Sequence, residues 1–65
     1  MERQELGQKL KELREKKGLS KYRVYTDANI RPDQVNAIEA GSVNYTIDTL
    51  AAYLKVLGVV INLVE

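Results

Sequence analysis

The sequence predicts an all-α fold, a compact domain of four to five helices followed by a short C-terminal β-strand or an extended tail. Two observations support this prediction. Apolar residues recur three and four positions apart along most of the chain, which is the spacing of one helix face. Glycine or asparagine follows each periodic segment, as expected where a helix ends in a left-handed residue. A chain of 65 residues has room for one small domain.

The first helix is predicted to cover residues 2–17. Leu6, Leu10 and Leu13 recur at spacings of four and three and form one apolar stripe. Lysines crowd the last turn, where positive charge interacts favourably with the helix dipole. Gly18 then ends the helix, because glycine adopts a left-handed conformation without a steric penalty.

A second, shorter helix is predicted over residues 21–28. Ser20 precedes it and is a favourable N-cap residue, since its hydroxyl accepts a hydrogen bond from an unpaired backbone N–H group of the first turn. Val24 and Ala28 lie four positions apart and are expected to face the core. Asn29 follows where the chain must turn, and asparagine tolerates a positive φ better than most residues.

The third helix is predicted over residues 32–40. Pro32 suits the first helical position, because no backbone donor is needed there. Val35 and Ile38 are three positions apart and are expected to point to the core. Gly41 closes the helix.

The fourth helix is predicted over residues 47–57, after a loop at residues 42–45. Thr46 is its expected N-cap, and Gly58 ends it. Its expected apolar face has spacings of three, one, three and three, and consists of Ile47, Leu50, Ala51, Leu54 and Leu57.

The C-terminal tail has a different composition from the helices. Residues 59–64 are rich in β-branched side chains, which favour a β-strand. A single strand has no partner in an otherwise helical chain, so this segment either pairs with the same tail of a second subunit or packs as an extended tail on its own domain. We therefore expect a domain over residues 1–58 and a tail over 59–65, whose candidate dimerisation residues are Val59, Val60, Ile61, Leu63 and Val64.

The residue inventory argues against several classes of protein. The chain has no cysteine and no histidine, which excludes disulfides, the usual zinc-ligand sets and the commonest catalytic groups. We therefore expect neither an enzyme nor a cofactor or metal site. The apolar run at residues 59–61 is far too short to span a membrane, and the N-terminus is charged from Glu2 onward, unlike a signal peptide. These features predict a cytoplasmic protein.

Charge is distributed unevenly along the chain, although the formal net charge is only +1. Residues 1–31 hold nine basic and five acidic side chains, a balance of +4. Residues 32–65 hold one basic and four acidic side chains, a balance of −3. Because phosphate binding depends on local charge, the N-terminal half is the better candidate for contact with nucleic acid.

Residues 20–41 combine two short predicted helices with a tight turn between them. Two helices packed across so short a turn hold the second one as a rigid rod that projects from the domain. A rod of that diameter fits the major groove of duplex DNA. This segment is therefore interpreted as a DNA-binding unit.

The chain resembles the lambda-repressor-like helix-turn-helix domain of the Cro/C1 (xenobiotic-response-element) family. The resemblance extends over about residues 6–57, and no single motif in it is specific. What indicates the family is the whole set at its correct intervals: Leu10-x-x-Leu13-Arg14, Gly18-Leu19-Ser20, Val24, Ala28, Ile30, Val35-x-x-Ile38-Glu39-x-Gly41, Thr49-Leu50 and Leu57-Gly58-Val59.

The resemblance implies a structural ion pair. In the family, an arginine late in the first helix bonds a glutamate at the end of the recognition helix, and Arg14 and Glu39 occupy those places. A bidentate pair would lock the recognition helix to the rest of the domain.

The resemblance also implies a set of DNA contacts, with some departures from the family pattern. Lys21 stands where the family usually has glutamine, and Tyr45 stands where proline is common. Pro32 and Ala37 offer apolar contacts, whereas Asp33 either accepts from a cytosine amino group or serves the helix terminus. The implied DNA-binding residues are Ser20, Lys21, Arg23, Arg31, Pro32, Asp33, Gln34, Asn36, Ala37, Ser42, Asn44 and Tyr45.

These inferences predict a sequence-specific DNA-binding transcriptional regulator that inserts residues 32–40 into the major groove of double-stranded DNA and acts as a homodimer. One alternative is an antitoxin-type subunit that binds both DNA and a toxin. Another is a protein-interaction module that has kept the fold and lost DNA binding, which the low net charge and the atypical Pro32, Asp33 and Ala37 favour.

Overall fold

The computed structural model describes residues 2–42 and 44–59, and this part of the chain forms four helices without a strand. The helices are α1 (Arg3–Lys16), α2 (Lys21–Ala28), α3 (Pro32–Ala40) and α4 (Ile47–Leu57). The all-α prediction is confirmed. Of the predicted strand at residues 59–64, residues 60–64 lie outside the described residues, whereas Val59 packs against the core.

The helix ends follow the sequence signals closely. The Ser20 hydroxyl accepts a hydrogen bond from the Arg23 backbone N–H at 3.0 Å, so it caps α2 as predicted. Thr46 caps α4 in the same way through Thr49, at 3.2 Å. Asn29 ends α2 with a φ of 58°, in the left-handed region where asparagine is tolerated. Local chemistry therefore sets the lengths of these helices.

All four helices contribute to one hydrophobic core. The core lies between α4 and the helix-turn-helix pair α2–α3, with α1 closing the side next to α3. Its fully or nearly fully buried members are Leu10, Val24, Val35, Ile38, Leu50, Tyr53 and Leu57.

The predicted apolar face of α4 is wrong in part. Ile47 is 77 % exposed and Ala51 is also exposed, whereas Leu50 and Leu57 are buried as predicted. Tyr53 is completely buried, although the prediction left it out. The buried residues follow spacings of three and four from Leu50, so the buried face is rotated about the helix axis away from the side that carries Ile47 and Ala51.

Gly7 allows α1 to approach the end of α3 very closely. A Cβ atom at this position would lie 2.5 Å from the carbonyl oxygen of Ile38 and 2.7 Å from that of Glu39. Both are backbone atoms, so a side chain could be accommodated only if the two helices moved apart. The missing side chain of Gly7 is therefore part of what positions α3.

Candidate nucleic-acid interface

The end of α3 is attached to α1 by a buried ion pair. Arg14 Nε donates to Glu39 Oε2 at 2.7 Å, and Arg14 Nη2 donates to Glu39 Oε1 at 3.3 Å. Only 8 % of the Arg14 side chain and 4 % of the Glu39 side chain are exposed. The pair expected from the sequence is therefore present, in the bidentate form that fixes both position and orientation.

Two further hydrogen bonds extend this pair into a network. Arg14 Nη1 donates to the Leu19 carbonyl at 2.8 Å, which ties the pair to the turn before α2. The Tyr53 hydroxyl donates to Glu39 Oε2 at 2.7 Å, whereas its distance to the Leu10 carbonyl is 3.4 Å. A phenol has one hydrogen to donate, so the short bond to the carboxylate is the dominant one.

Protonation in this network follows from burial and from the short contacts. The hydrogen bond to Glu39 raises the pKa of Arg14 above its ordinary value, against the opposing effect of burial. Burial raises the pKa of Tyr53, and the hydrogen bond to Glu39 raises it further. Arg14 therefore stays a cation and Tyr53 stays a neutral donor near pH 7. Among the described residues, every buried side-chain nitrogen and oxygen has a hydrogen-bond partner.

Sequence reasoning missed Tyr53 as a member of this site. The signal that could have found it is its position three residues after Leu50 and four before Leu57, in the buried row of α4. A buried tyrosine needs a partner for its hydroxyl, so its burial would also have predicted a polar neighbour. Which neighbour it is depends on how α4 packs against α3.

The face of α3 opposite the core is open to solvent. Pro32, Asp33 and Asn36 are exposed, and they were among the residues expected to meet DNA. Gln34 and Ala37, from the same expected set, are half-buried. Ala40 is exposed on this face as well, and sequence reasoning did not include it; the set consists of Pro32, Asp33, Asn36 and Ala40.

The first charged residues of this region pair with each other. Arg31 Nε and Asp33 Oδ1 are 3.3 Å apart, and Arg31 Nη2 donates to Asp33 Oδ2 at 3.3 Å. Both side chains are about 70 % exposed (73 % and 69 %). An exposed pair of this kind contributes at most about 1 kcal/mol, so a DNA phosphate can displace it. Pairing also offsets the negative charge of Asp33 on the exposed face of α3.

α2 and its N-cap contain three of the expected contacts. Ser20 serves as the N-cap, and Arg23 pairs with Asp27 at 2.8 Å in the exposed i,i+4 arrangement. Lys21 Nζ donates to Asn36 Oδ1 at 2.9 Å, so the two helices are bridged on the solvent side. The Asn36 carbonyl is thereby turned toward α2, and its two N–H donors remain for another acceptor.

The loop between α3 and α4 contains the last expected contacts. Asn44 is exposed, and its backbone N–H donates to the Ser42 hydroxyl at 3.0 Å. Tyr45 is half-buried and packs against the core, with the Arg3 guanidinium 5.2 Å from the centre of its ring. This geometry favours a packing role for Tyr45 over the DNA contact that the resemblance implies.

A comparison with protein families gives a match over most of the chain. A family model described as helix-turn-helix matches residues 10–61. No curated protein matches the sequence significantly. In the part of the chain that the structure describes, no helix has the length and apolar character needed to cross a membrane.

Proposed function

This chain belongs to the Cro/C1-type helix-turn-helix family of DNA-binding transcriptional regulators, and from that premise we propose that it binds specific duplex sequences with α3 in the major groove. The observation that supports this most directly is the difference in solvent exposure between the two sides of α3. Val35, Ile38 and Glu39 are buried, whereas the opposite face, which includes Asp33 and Asn36, is exposed.

A recognition helix must keep its orientation while it enters the groove, since base readout depends on hydrogen-bond geometry. Here α3 is held from beneath by apolar contacts and at its C-terminal end by the network around Glu39. The left-handed Gly41, with a φ of 77°, ends the helix abruptly after Ala40. We therefore expect α3 to bind DNA as a rigid body.

Direct base readout in this proposal is modest. Asn36 is the exposed amide on α3, and its free N–H donors suit an acceptor on a base edge. Pro32 offers apolar contact, and Asp33 is already paired with Arg31. Phosphate contacts from Ser20, Lys21 and Arg23 would then supply much of the affinity, and DNA shape much of the remaining specificity.

The test is a selection of bound sequences from random duplexes, followed by a salt titration of the best site. We expect log Kd to rise steeply with log salt, because each phosphate contact releases condensed counterions. Replacement of Asn36 by alanine should weaken base preference at one position, whereas Asn44→Ala in the loop should leave base preference unchanged. An absence of duplex binding at low salt would favour the protein-interaction module.

The second part of the proposal is a homodimer joined through the C-terminal tail. Two copies would place their α3 helices in successive major grooves, about 34 Å apart. Because Val59 packs against its own core, the informative truncation removes residues 60–65 and keeps Val59. We expect the truncated chain to be monomeric and to bind its operator more weakly. An unchanged dimer in sedimentation would remove the tail from the proposal, and a purified complex with a toxin would favour the antitoxin alternative.

A further inference from the structure

We propose that a cleft between α1 and α3 seats one phosphodiester group of the bound duplex, with Lys11 on α1 as a DNA ligand that the sequence motifs do not include. The proposal rests on the DNA-binding function proposed above. The cleft has a volume of about 460 Å³ and is lined by Gln8, Lys11, Lys21, Asn36, Glu39 and Ala40.

The position of the cleft links it to the recognition surface. Asn36 and Ala40, on its α3 wall, belong to the exposed face of the recognition helix. Lys21, at the start of α2, lies at its edge and is bonded to Asn36 at 2.9 Å. A duplex that holds α3 in its major groove must bring one sugar-phosphate strand past the flank of that helix. The cleft lies on such a flank.

The charge of the cleft suits an anion. Lys11 and Lys21 contribute two ammonium groups, and Lys21 uses one of its three N–H donors on Asn36. The acid in the lining is Glu39, whose two oxygens accept from Arg14 and Tyr53 in the buried network. Arg14 therefore balances the charge of Glu39, and the two lysines leave the cleft positive.

Two features of α1 bear on the charge of the cleft. Gln8 donates to Glu12 at 3.2 Å, which places that acid beside the cleft and outside its lining. Lys11 is half-buried, and within the described part of the chain its ammonium group makes no hydrogen bond or ion pair. Its stem is therefore packed while its ammonium group remains available. The volume accommodates a phosphate group with hydration water, since on the same measure one water needs only about 10–15 Å³.

The experiment compares three single substitutions that each remove one positive charge: Lys11→Met and Lys21→Met in the cleft, and Lys55→Met on α4. Lys55 is the matched control because it is exposed and lies outside the cleft and outside the proposed interface. The duplex is the best site from the selection, and Kd is measured between 50 and 200 mM salt. Circular dichroism and urea unfolding of each variant show that it is folded.

The expected losses follow from counterion release. One phosphate contact changes the slope of log K against log salt by about 0.9. Taken relative to 1 M salt, where the contact is screened, this slope corresponds to a loss of about 15-fold at 50 mM and about 4-fold at 200 mM salt. We expect Lys11→Met to show this loss and this change of slope. Lys55→Met should retain the wild-type Kd within about twofold.

A second arm identifies the phosphate without altering the protein. Each phosphate of the site is replaced in turn by a neutral methylphosphonate, and the set is measured with wild type and with Lys11→Met. At one phosphate the two changes should not add, because they remove the same contact.

The outcomes separate this proposal from the function on which it rests. If the wild-type chain binds no duplex, the proposed function fails and the cleft assignment fails with it. If wild type binds specifically but Lys11→Met matches Lys55→Met in Kd and in slope, the function stands and the cleft assignment is overturned. Additive losses at every methylphosphonate position would overturn it too.

Discussion

Replacing Tyr53 by phenylalanine removes one oxygen atom from the centre of the domain. The hydroxyl is completely buried and donates to Glu39 Oε2 at 2.7 Å, so it joins α4 to the end of α3. Phenylalanine keeps the ring and its packing, and it therefore creates almost no cavity. The substitution isolates a single hydrogen bond between two helices.

The magnitude follows from the charge of the acceptor and from what remains after the change. A hydrogen bond to a charged group contributes about 1.5–3 kcal/mol to stability. Glu39 Oε2 keeps its 2.7 Å bond from Arg14 Nε, so the carboxylate oxygen is not left without a partner. We therefore expect a loss near the lower end of that range, about 1.5–2 kcal/mol in the free energy of unfolding. For a domain of this size, the melting temperature should fall by roughly 6–16 °C.

The measurement is urea unfolding at pH 7, followed by circular dichroism, with wild type and both variants in parallel. Tyr22→Phe is the matched control, because Tyr22 is 66 % exposed and its hydroxyl can bond water in both states. It should change stability by less than about 0.5 kcal/mol. The slope of the unfolding free energy against urea should stay the same for all three proteins, since the surface exposed on unfolding is the same.

An unfolding free energy for Tyr53→Phe within 0.5 kcal/mol of wild type would refute this reasoning. It would mean that the bond between Tyr53 and Glu39 does not survive competition with water in solution. An increase in stability would have the same meaning, since it would show that desolvating the hydroxyl costs more than the bond returns.

The remaining predictions concern the same region. Burial, and to a lesser extent the bond to Glu39, raise the pKa of Tyr53 above its ordinary value of 10.0. The contribution of the neutral Tyr53 hydroxyl to stability should therefore be complete below pH 10, and the free energy of unfolding should fall above pH 10 by up to about 1.4 kcal/mol per pH unit. Urea unfolding at high pH should show this fall in wild type and a smaller one in Tyr53→Phe. Gly7→Ala should lower the free energy of unfolding by about 1–3 kcal/mol in the same assay, despite the better helix propensity of alanine. Gln8→Ala is the control and should be nearly neutral. Equal stabilities of the two variants would contradict the close approach of α1 to α3. Arg14→Met should cost about 3–5 kcal/mol, because it leaves the buried carboxylate of Glu39 without its cation; a loss below 1 kcal/mol would show that the site is not dry.

The ends of the helices were predictable because their causes are local. Ser20 and Thr46 have a hydroxyl that reaches an N–H three residues ahead, whatever the rest of the domain does. Asn29 ends α2 because few residues accept a positive φ. These effects act within one helical turn, so the local sequence contains all the information that determines them.

The burial of α4 was predicted less well, since it depends on packing between helices. Ile47 and Tyr53 both fit an apolar row on α4, and hydropathy favours isoleucine for the interior. In the fold, the side of α4 that carries Leu50, Tyr53 and Leu57 faces the core, so Tyr53 is completely buried. Ile47 lies to one side of this face and is exposed. The carboxylate of Glu39 lies beside Tyr53 to accept the hydroxyl, which no property of α4 alone reveals.

The candidate interface divides in the same way. The sequence by itself determined the helix-turn-helix unit and the side of α3 that is exposed, because residue spacing places these on a known side of a helix, and its resemblance to the family implied the pairing of Arg14 with Glu39. The tertiary structure decided that Lys21 bonds Asn36 and that Lys11 lies in the cleft beside them. Those contacts join residues from different helices, and the distances between helices are set by close packing such as that at Gly7. The spacing of residues along the chain does not reveal these distances.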